Sequence, residues 1–230
     1  MSEVVGYQLQ DGVAVINLDN GKVNAVSHEV IDGLNKALDQ AEADKAVVVL
    51  TGKPGILSGG YDLKVMQTSM DAAIGLVTAG STLARRMLAH PFPIIVACPG
   101  HAVAKGAFLL LSADYRIGVA GAFQIGLNEV AIGMTMHHVG IELARGRLTT
   151  PAFHRSVINA EMFGPEAAVN AGFLDQVVAP EALMDTAMAT AKAMKKLNMR
   201  AHKQTKLKSR AEFLATLDKS IALDQDSKLQ

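Results

Sequence analysis

The sequence has little cysteine and few aromatic residues: it contains one cysteine, Cys98, and no tryptophan. A lone cysteine excludes a disulfide within the chain, and chains without disulfides are typical of reducing compartments. The first residues, MSEVVGYQLQDG, lack the charged start and apolar run of a secretory signal. The last four residues read SKLQ, which is one residue too long for a terminal SKL peroxisomal signal. We therefore expect a cytoplasmic location.

The chain also lacks an excess of either charge, because 22 lysines and arginines balance 22 aspartates and glutamates. Proteins that bind nucleic acids usually have a clear basic excess, so we expect no nucleic-acid partner. The run Ile94–Leu111 is interrupted by Pro99, Gly100 and Lys105, so it does not have the character of a membrane span. No group of His, Cys and Asp residues has the spacing of a metal site, and no metal is predicted.

The patterns that are present predict one α/β domain, and 230 residues are enough for a sizeable core. Ser27 is placed to cap a helix with apolar residues at helical spacing, and the chain after Glu129 becomes mostly helical. A second helix is predicted from Asp71 to about His90. Short apolar runs predict strands at Val4–Leu9, Val13–Leu18, Val47–Leu50 and Ile94–Ala97. Asp11-Gly12 between the first two predicts a hairpin. In such a domain, function is expected in the loops that follow strands.

Two glycine-containing loops each join a buried strand to a helix: Leu57–Leu63, with sequence LSGGYDL, and Pro99–Phe108, with sequence PGHAVAKGAF. Glycine permits sharp turns, and the N–H groups that open a helix favour negative charge. Each loop alone is explained more simply as an ordinary strand-to-helix turn. Together they could place two backbone N–H donors on one carbonyl oxygen, as acyl-transfer and enolate chemistry requires.

Glu129 lies in the segment FQIGLNEVAIG, at the start of a predicted helix. A single glutamate in such a place is usually solvated and stabilised by the helix dipole. Apolar neighbours such as Leu127 and Val130 favour partial burial instead. Burial would raise the pKa of Glu129 to a value that suits a general base.

Three segments resemble, in order, the signature blocks of the crotonase-like enoyl-CoA hydratase/isomerase family: VVVLTGKPGILSGGYDLKVM, PIIVACPGHAVAKGAFLLLSADYRI and FQIGLNEVAIG. VAVINLDNGKVNAVS resembles its N-terminal block, and GPEAAVNAGFLDQVV the segment before its last helices. The resemblance implies a spiral of ββα units over residues 1–178 and a C-terminal helical trimerisation region over residues 179–230. It also implies a homotrimer, or a hexamer built as a dimer of trimers, that acts on an acyl-CoA thioester without a prosthetic group.

The resemblance further implies that the backbone N–H groups of Tyr61 and Lys105 form an oxyanion hole. Lys105 lies in the run Ala104-Lys105-Gly106, where the family usually has three glycines. A backbone donor needs no particular side chain, but the loss of two glycines narrows the conformations that the loop can adopt.

Family hydratases use two glutamates to activate one water, and only one of those positions, Glu129, holds a carboxylate here. The other is Phe108, which cannot transfer a proton. One carboxylate resembles the Δ3,Δ2-enoyl-CoA isomerase branch, in which a single base moves a proton from C2 to C4. We therefore predict such an isomerase of fatty-acid β-oxidation. The alternatives are a hydratase with an unrecognised second acid and a non-catalytic acyl-CoA-binding protein.

Binding residues follow from the same resemblance. The predicted CoA contacts are Val23, Ala25, Gly59, Asp62, Leu63 and Lys64. The predicted acyl-pocket residues are Phe108, Met66, Met134 and His137. Lys64, Lys203 and Lys206 are candidates for meeting the CoA phosphates, although exposed lysines are usually only solvated. Many relatives have a further helix over the acyl pocket, so we expect this pocket to be more open or to be shaped by Met66, Met87, Met134 and Met136.

Overall fold

The computed structural model describes residues 4–226. Within that range the strands are β1 (Val5–Gln10), β2 (Val13–Leu18), β3 (Val47–Thr51), β4 (Gly55–Ser58), β5 (Ile94–Cys98), β6 (Gly100–Val103), β7 (Tyr115–Val119), β8 (Ile125–Gly126), β9 (Met162–Phe163) and β10 (Gln176–Val178). The helices are α1 (His28–Ala43), α2 (Leu63–Met66), α3 (Met70–Ala89), α4 (Lys105–Leu111), α5 (His138–Arg145), α6 (Thr150–Val157), α7 (Pro165–Ala171), α8 (Leu183–Met194), α9 (Met199–Ser209) and α10 (Ala211–Asp226). None of these helices is long and apolar enough to cross a membrane.

The larger sheet has six strands in the order β1-β2-β3-β5-β7-β10. β1 and β2 form the predicted antiparallel hairpin, and its turn residues Asp11 and Gly12 both have positive φ. From β2 to β10 every neighbouring pair is parallel. β3 and β5 are buried along their whole length, as expected for parallel strands covered on both faces.

The smaller sheet has the order β4-β6-β8-β9, and the sequence patterns did not predict β4 or β6. Each successive ββ unit places one strand in the larger sheet and the next in the smaller one: β3 and β4, β5 and β6, β7 and β8. The predicted spiral of ββα units is therefore confirmed. Gly100 permits the close pairing of β4 and β6, because a Cβ there would lie 2.1 Å from the Gly55 carbonyl oxygen.

Helix α1 has the predicted N-cap, since the Ser27 Oγ accepts a hydrogen bond of 3.3 Å from the Val30 N–H. Its apolar residues at helical spacing are buried, including Val30, Leu34 and Leu38. Helix α3 begins and ends within one residue of the predicted bounds, Asp71 to His90. These two helices form because one apolar stripe of each can be buried. Helix α1 packs against β1, β2, β3 and α3, and α3 packs against α1, α4 and α10.

The C-terminal helices cover the spiral at two places. Helix α8 packs against β3, β5 and β7, and α10 packs against α3 and α5. The buried Asp224 of α10 accepts hydrogen bonds from the N–H groups of His138 and Val139, at 2.7 and 3.0 Å, at the start of α5. Arg85 of α3 forms a paired contact with Asp218 of α10. Helix α10 thus fixes the start of α5 from within the same chain, whereas the SKLQ tail lies outside the described residues.

A buried charge cluster joins α9 to the main sheet and corrects one prediction. Lys206 is 6% exposed, and its Nζ donates to the Asp114 Oδ2 at 2.6 Å and to the carbonyl oxygens of His90 and Phe92. Arg210 lies 3.0 Å from the other Asp114 oxygen. With its ammonium group fully used inside the fold, Lys206 is a structural residue and not a phosphate contact. Asp114, the anionic partner of both Lys206 and Arg210, is a structural residue as well.

Replacing Asp114 with asparagine should lower the free energy of unfolding by about 3 kcal/mol, because it leaves the buried Lys206 ammonium without its anionic partner. Urea unfolding at pH 7 measures the change. The matched control is Asp218→Asn, because its partner Arg85 is more exposed than Lys206. This variant should lose less than about 1 kcal/mol in free energy of unfolding. Equal losses in the two variants would contradict the assignment of Asp114 as a structural anchor.

Candidate active site

The first glycine loop is held beside the segment that follows β2. The Val26 N–H donates to the Gly60 carbonyl at 2.8 Å, and the Asp62 N–H donates to the Val26 carbonyl at 3.0 Å. Successive N–H groups of an extended segment point to opposite sides, so the N–H of Tyr61 points away from Val26. The Tyr61 N–H has no backbone partner among the described residues. It is therefore free to donate to a ligand.

The second loop approaches the first at backbone distance. Ala104 adopts φ 51° and ψ −119°, a conformation that L-residues rarely occupy. A Cβ built on Gly60 would lie 3.1 Å from the Ala104 Cβ and 3.8 Å from the Lys105 nitrogen. A Cβ on Gly106 would lie 2.2 Å from the Ser58 carbonyl oxygen. The second loop therefore approaches the first although it lacks two of the usual glycines. Its strained backbone lies at Ala104, and the close contacts lie at Gly60 and Gly106.

Lys105 opens α4, and its N–H has no backbone partner in the described part of the chain. The neighbouring Ala104 N–H is used elsewhere, since it donates to the Gly126 carbonyl at 2.9 Å. That bond joins the second loop to β8, which leads directly to Glu129. The structure therefore brings Tyr61, Lys105 and Glu129 onto three adjoining segments.

Glu129 is buried, with 7% of its surface exposed, and it directly precedes a single 3₁₀ turn over Val130–Ile132. Burial raises its pKa to about 7. Its Oε2 has no hydrogen-bond partner within residues 4–226. A buried carboxylate oxygen without a partner is costly and is common at functional sites. The burial expected from the apolar neighbours is present.

Two connected hollows meet at Tyr61, Met66, Glu129 and Met134. The outer one is a cleft of about 570 Å³, and all six predicted CoA contacts line it: Val23, Ala25, Gly59, Asp62, Leu63 and Lys64. The inner one is a cavity of about 90 Å³ beyond Glu129, bordered also by Val77, Thr135 and His137. The geometry suits a long polar ligand outside and a short apolar segment inside.

The remaining predicted pocket residues are divided between the cavity and the core. His137 lines the inner cavity, and burial is the main cause that lowers its pKa to about 4, so the ring is neutral at pH 7. Phe108 does not line either hollow. It is 1% exposed and lies behind His137, edge to face with a ring-centroid distance of 5.3 Å. Met87, also considered as a pocket methionine, is buried in the core.

Some residues of the two hollows had no clear indication in the sequence. Asn20 and Asn128 line the outer cleft, and Val77 reaches the inner cavity from α3. Gly60 and Ala104 also line the cleft, but they belong to the two glycine-containing loops considered from the sequence. Asn128 could have been suggested by its position next to Glu129. Val77 could not, because its spacing in α3 is that of any apolar core residue.

Comparison with known proteins shows the family of the chain. The sequence model described as "Enoyl-CoA hydratase/isomerase" matches residues 8–229. The chain belongs to that family. The protein is therefore an enzyme with the crotonase fold. Among the described residues of this enoyl-CoA hydratase/isomerase family member, no group of three or more His, Cys, Asp or Glu is arranged to hold a metal ion.

Similar chains of the family include proteins described as isomerases and proteins described as hydratases. A Pseudomonas syringae enoyl-CoA hydratase/isomerase family protein is 69% identical, with a TM-score of 0.98 and 99% of each chain covered. A Mycobacterium tuberculosis protein, described as an enoyl-CoA isomerase in one structure and as a probable enoyl-CoA hydratase in another, is 40% identical. The first of these structures has a TM-score of 0.94 over 99% of this chain and 100% of that one. Human mitochondrial enoyl-CoA delta isomerase 1 is 30% identical over 77% of this chain, and the match spans 61% of the human protein.

Glu129→Gln should stabilise this family member at alkaline pH, because burial penalises only the ionised carboxylate. With a pKa raised from 4.5 to about 7, Glu129 binds its proton more tightly in the folded state. Wild-type stability should thus fall as pH rises from about 4.5 to 7. Above pH 8 the variant should exceed wild type by about 3 kcal/mol in free energy of unfolding. Denaturant curves from pH 4 to 9 measure this, and a pH-independent difference would contradict the burial of a free carboxylate.

Proposed function

We propose that this family member is a Δ3,Δ2-enoyl-CoA isomerase in which Glu129 is the only acid–base group. The observation that carries the proposal is the single buried carboxylate where the two hollows meet, with an unpartnered oxygen and a pKa near 7. Asp62 also lines the outer cleft, but its carboxylate already accepts the Lys64 N–H at 2.9 Å. Phe108 has no proton to transfer. Burial lowers the pKa of His137 to about 4, which makes its ring a weak base.

In the proposed reaction the ionised Glu129 removes a proton from C2 of a 3-enoyl thioester. The C2–H electron pair forms the C1–C2 double bond of a dienolate, and negative charge moves to the thioester oxygen. The N–H groups of Tyr61 and Lys105 donate to that oxygen, where the charge develops. Glu129 then returns the same proton to C4, the double bond moves to C2–C3, and the carboxylate is regenerated. No water or second acid is consumed.

The outer cleft supports an acyl-CoA substrate. Gly59 and Ala25 line it, and the hydrogen bond of 2.8 Å from the Gly59 N–H to the Val23 carbonyl holds its two sides together. Lys64 is exposed at the rim of the cleft. Of the three lysines considered as contacts of the CoA phosphates, Lys64 is the one that lines the cleft. We propose that the CoA portion lies along this cleft and that the acyl carbons enter the inner cavity beside Met66 and Met134.

The wider setting of the enzyme also remains a proposal. A role in fatty-acid β-oxidation follows from the proposed substrate, and the described relatives include a peroxisomal β-oxidation multifunctional protein of Arabidopsis thaliana. A homotrimer or hexamer with contacts through the region 179–230 stays a prediction, which sedimentation velocity tests. The cytoplasmic location predicted from the sequence likewise stays a prediction.

The decisive assay compares wild type with Glu129→Gln on a 3-enoyl-CoA and on a 2-enoyl-CoA. Wild type should isomerise the 3-enoyl thioester with kcat/KM rising with pH through about 7, as Glu129 loses its proton. The variant should lose about 10²- to 10⁴-fold in kcat, the usual contribution of a positioned base. Its KM should change little, because glutamine keeps the size of the side chain.

Two other outcomes favour the alternatives. Hydration of the 2-enoyl thioester at a good rate, without isomerisation of the 3-enoyl thioester, would overturn the proposal in favour of a hydratase. Tight binding of acyl-CoA with no turnover of either substrate would favour a non-catalytic binding protein.

A further inference from the structure

The side chain of Lys105 has no role in the proposed reaction, yet it is among the largest fully buried side chains of the described chain, at 1% exposure. Its Nζ donates to the Gly80 carbonyl oxygen of α3 at 2.6 Å. No carboxylate within residues 4–226 forms an ion pair with it. A buried amine with one neutral acceptor costs free energy that a methionine of similar length would not.

Tyr61, the other proposed N–H donor, reaches the same turn of α3. Its hydroxyl makes a long hydrogen bond of 3.4 Å to the Val77 carbonyl oxygen. A Cβ on Gly80 would lie 2.2 Å from that hydroxyl, so Tyr61 fits only because residue 80 is glycine. The Lys105 Nζ also lies 5.7 Å from the centroid of the Tyr61 ring. Both side chains therefore meet the segment Val77–Gly80.

The two contacts act on loops whose backbones need support. Ala104, next to Lys105, has the strained conformation described above, and such a conformation persists only where its surroundings hold it in place. The segment Val77–Gly80 is well placed to provide this support. It lies in the middle of a 20-residue helix that packs against α1, α4 and α10.

We propose that Lys105 and Tyr61 are positioning residues through their side chains as well as donors through their backbones. The Lys105–Gly80 and Tyr61–Val77 contacts fix both N–H groups to one turn of α3 and so set the separation between them. This inference rests on the proposed function, because it assumes that the two N–H groups bind one thioester oxygen. The buried lysine side chain thereby keeps the oxyanion site in its geometry before the substrate arrives.

The test uses Lys105→Met, which keeps the buried stem and removes the ammonium group. We expect kcat for the 3-enoyl thioester to fall about 10- to 100-fold, since the donor is displaced but not deleted. KM should change less than about threefold, and the melting temperature should stay the same or rise. The matched control is Lys196→Met, at an exposed lysine just after α8, which should retain wild-type kcat.

A spectroscopic measurement separates this inference from the proposed function. When butanoyl-CoA labelled with ¹³C at its carbonyl binds, two N–H donors should move the carbonyl stretch to lower wavenumber, whether or not the protein isomerises anything. The shift should be smaller in Lys105→Met. If wild type shows the shift but no isomerase activity, the proposed function is wrong. The inference is then still tested by the carbonyl shift of Lys105→Met.

Wild-type kcat together with a wild-type carbonyl shift in Lys105→Met would overturn the inference. So would a loss of kcat that is fully explained by a lower melting temperature. Should the methionine variant not fold, Tyr61→Phe decides the question, because it deletes only the hydroxyl that contacts Val77. That variant should show a smaller carbonyl shift and a kcat about three- to tenfold lower, and an unchanged shift and kcat would overturn the inference.

Discussion

The close approach of two strand-to-helix loops is the constraint on which the site depends. Gly60 and Gly106 let the backbones of the two loops meet without side chains between them, and Ala104 adopts a conformation normally left to glycine. Because both loops follow neighbouring strands of the two sheets, the spiral fixes where they start. The glycines then determine how near the N–H groups of Tyr61 and Lys105 can come.

Around this contact the fold keeps polar groups in conditions that a purely structural core would avoid. Glu129 retains a buried oxygen without a partner, and Lys105 retains an amine whose pKa burial lowers to about 7. Elsewhere the same chain satisfies its buried charges well, as the Asp114 cluster shows. The unpartnered Glu129 oxygen therefore distinguishes the candidate site, because buried polar groups that only hold a scaffold together are normally satisfied.

Sequence reasoning succeeded where one physical pattern determined the structure. The apolar runs gave β3 and β5, the Ser27 cap and apolar stripe gave α1, and apolar neighbours predicted the burial of Glu129. It missed β4 and β6, because these short strands pair through glycines and have no alternating pattern. It could not assign Lys206 or the Lys105 side chain, since their partners come from elements distant in sequence.

The hydrogen bonds from α5 to Asp224 link the end of the described chain to its active-site region. Asp224 binds the start of α5, directly after the cavity residue His137, although 86 residues separate it from His138. During synthesis, every residue that lines the two hollows leaves the ribosome before this aspartate does. A nascent chain can therefore assemble the spiral while the start of α5 is still uncapped. The pocket wall at His137 should thus reach its final structure last, when α10 packs against α5.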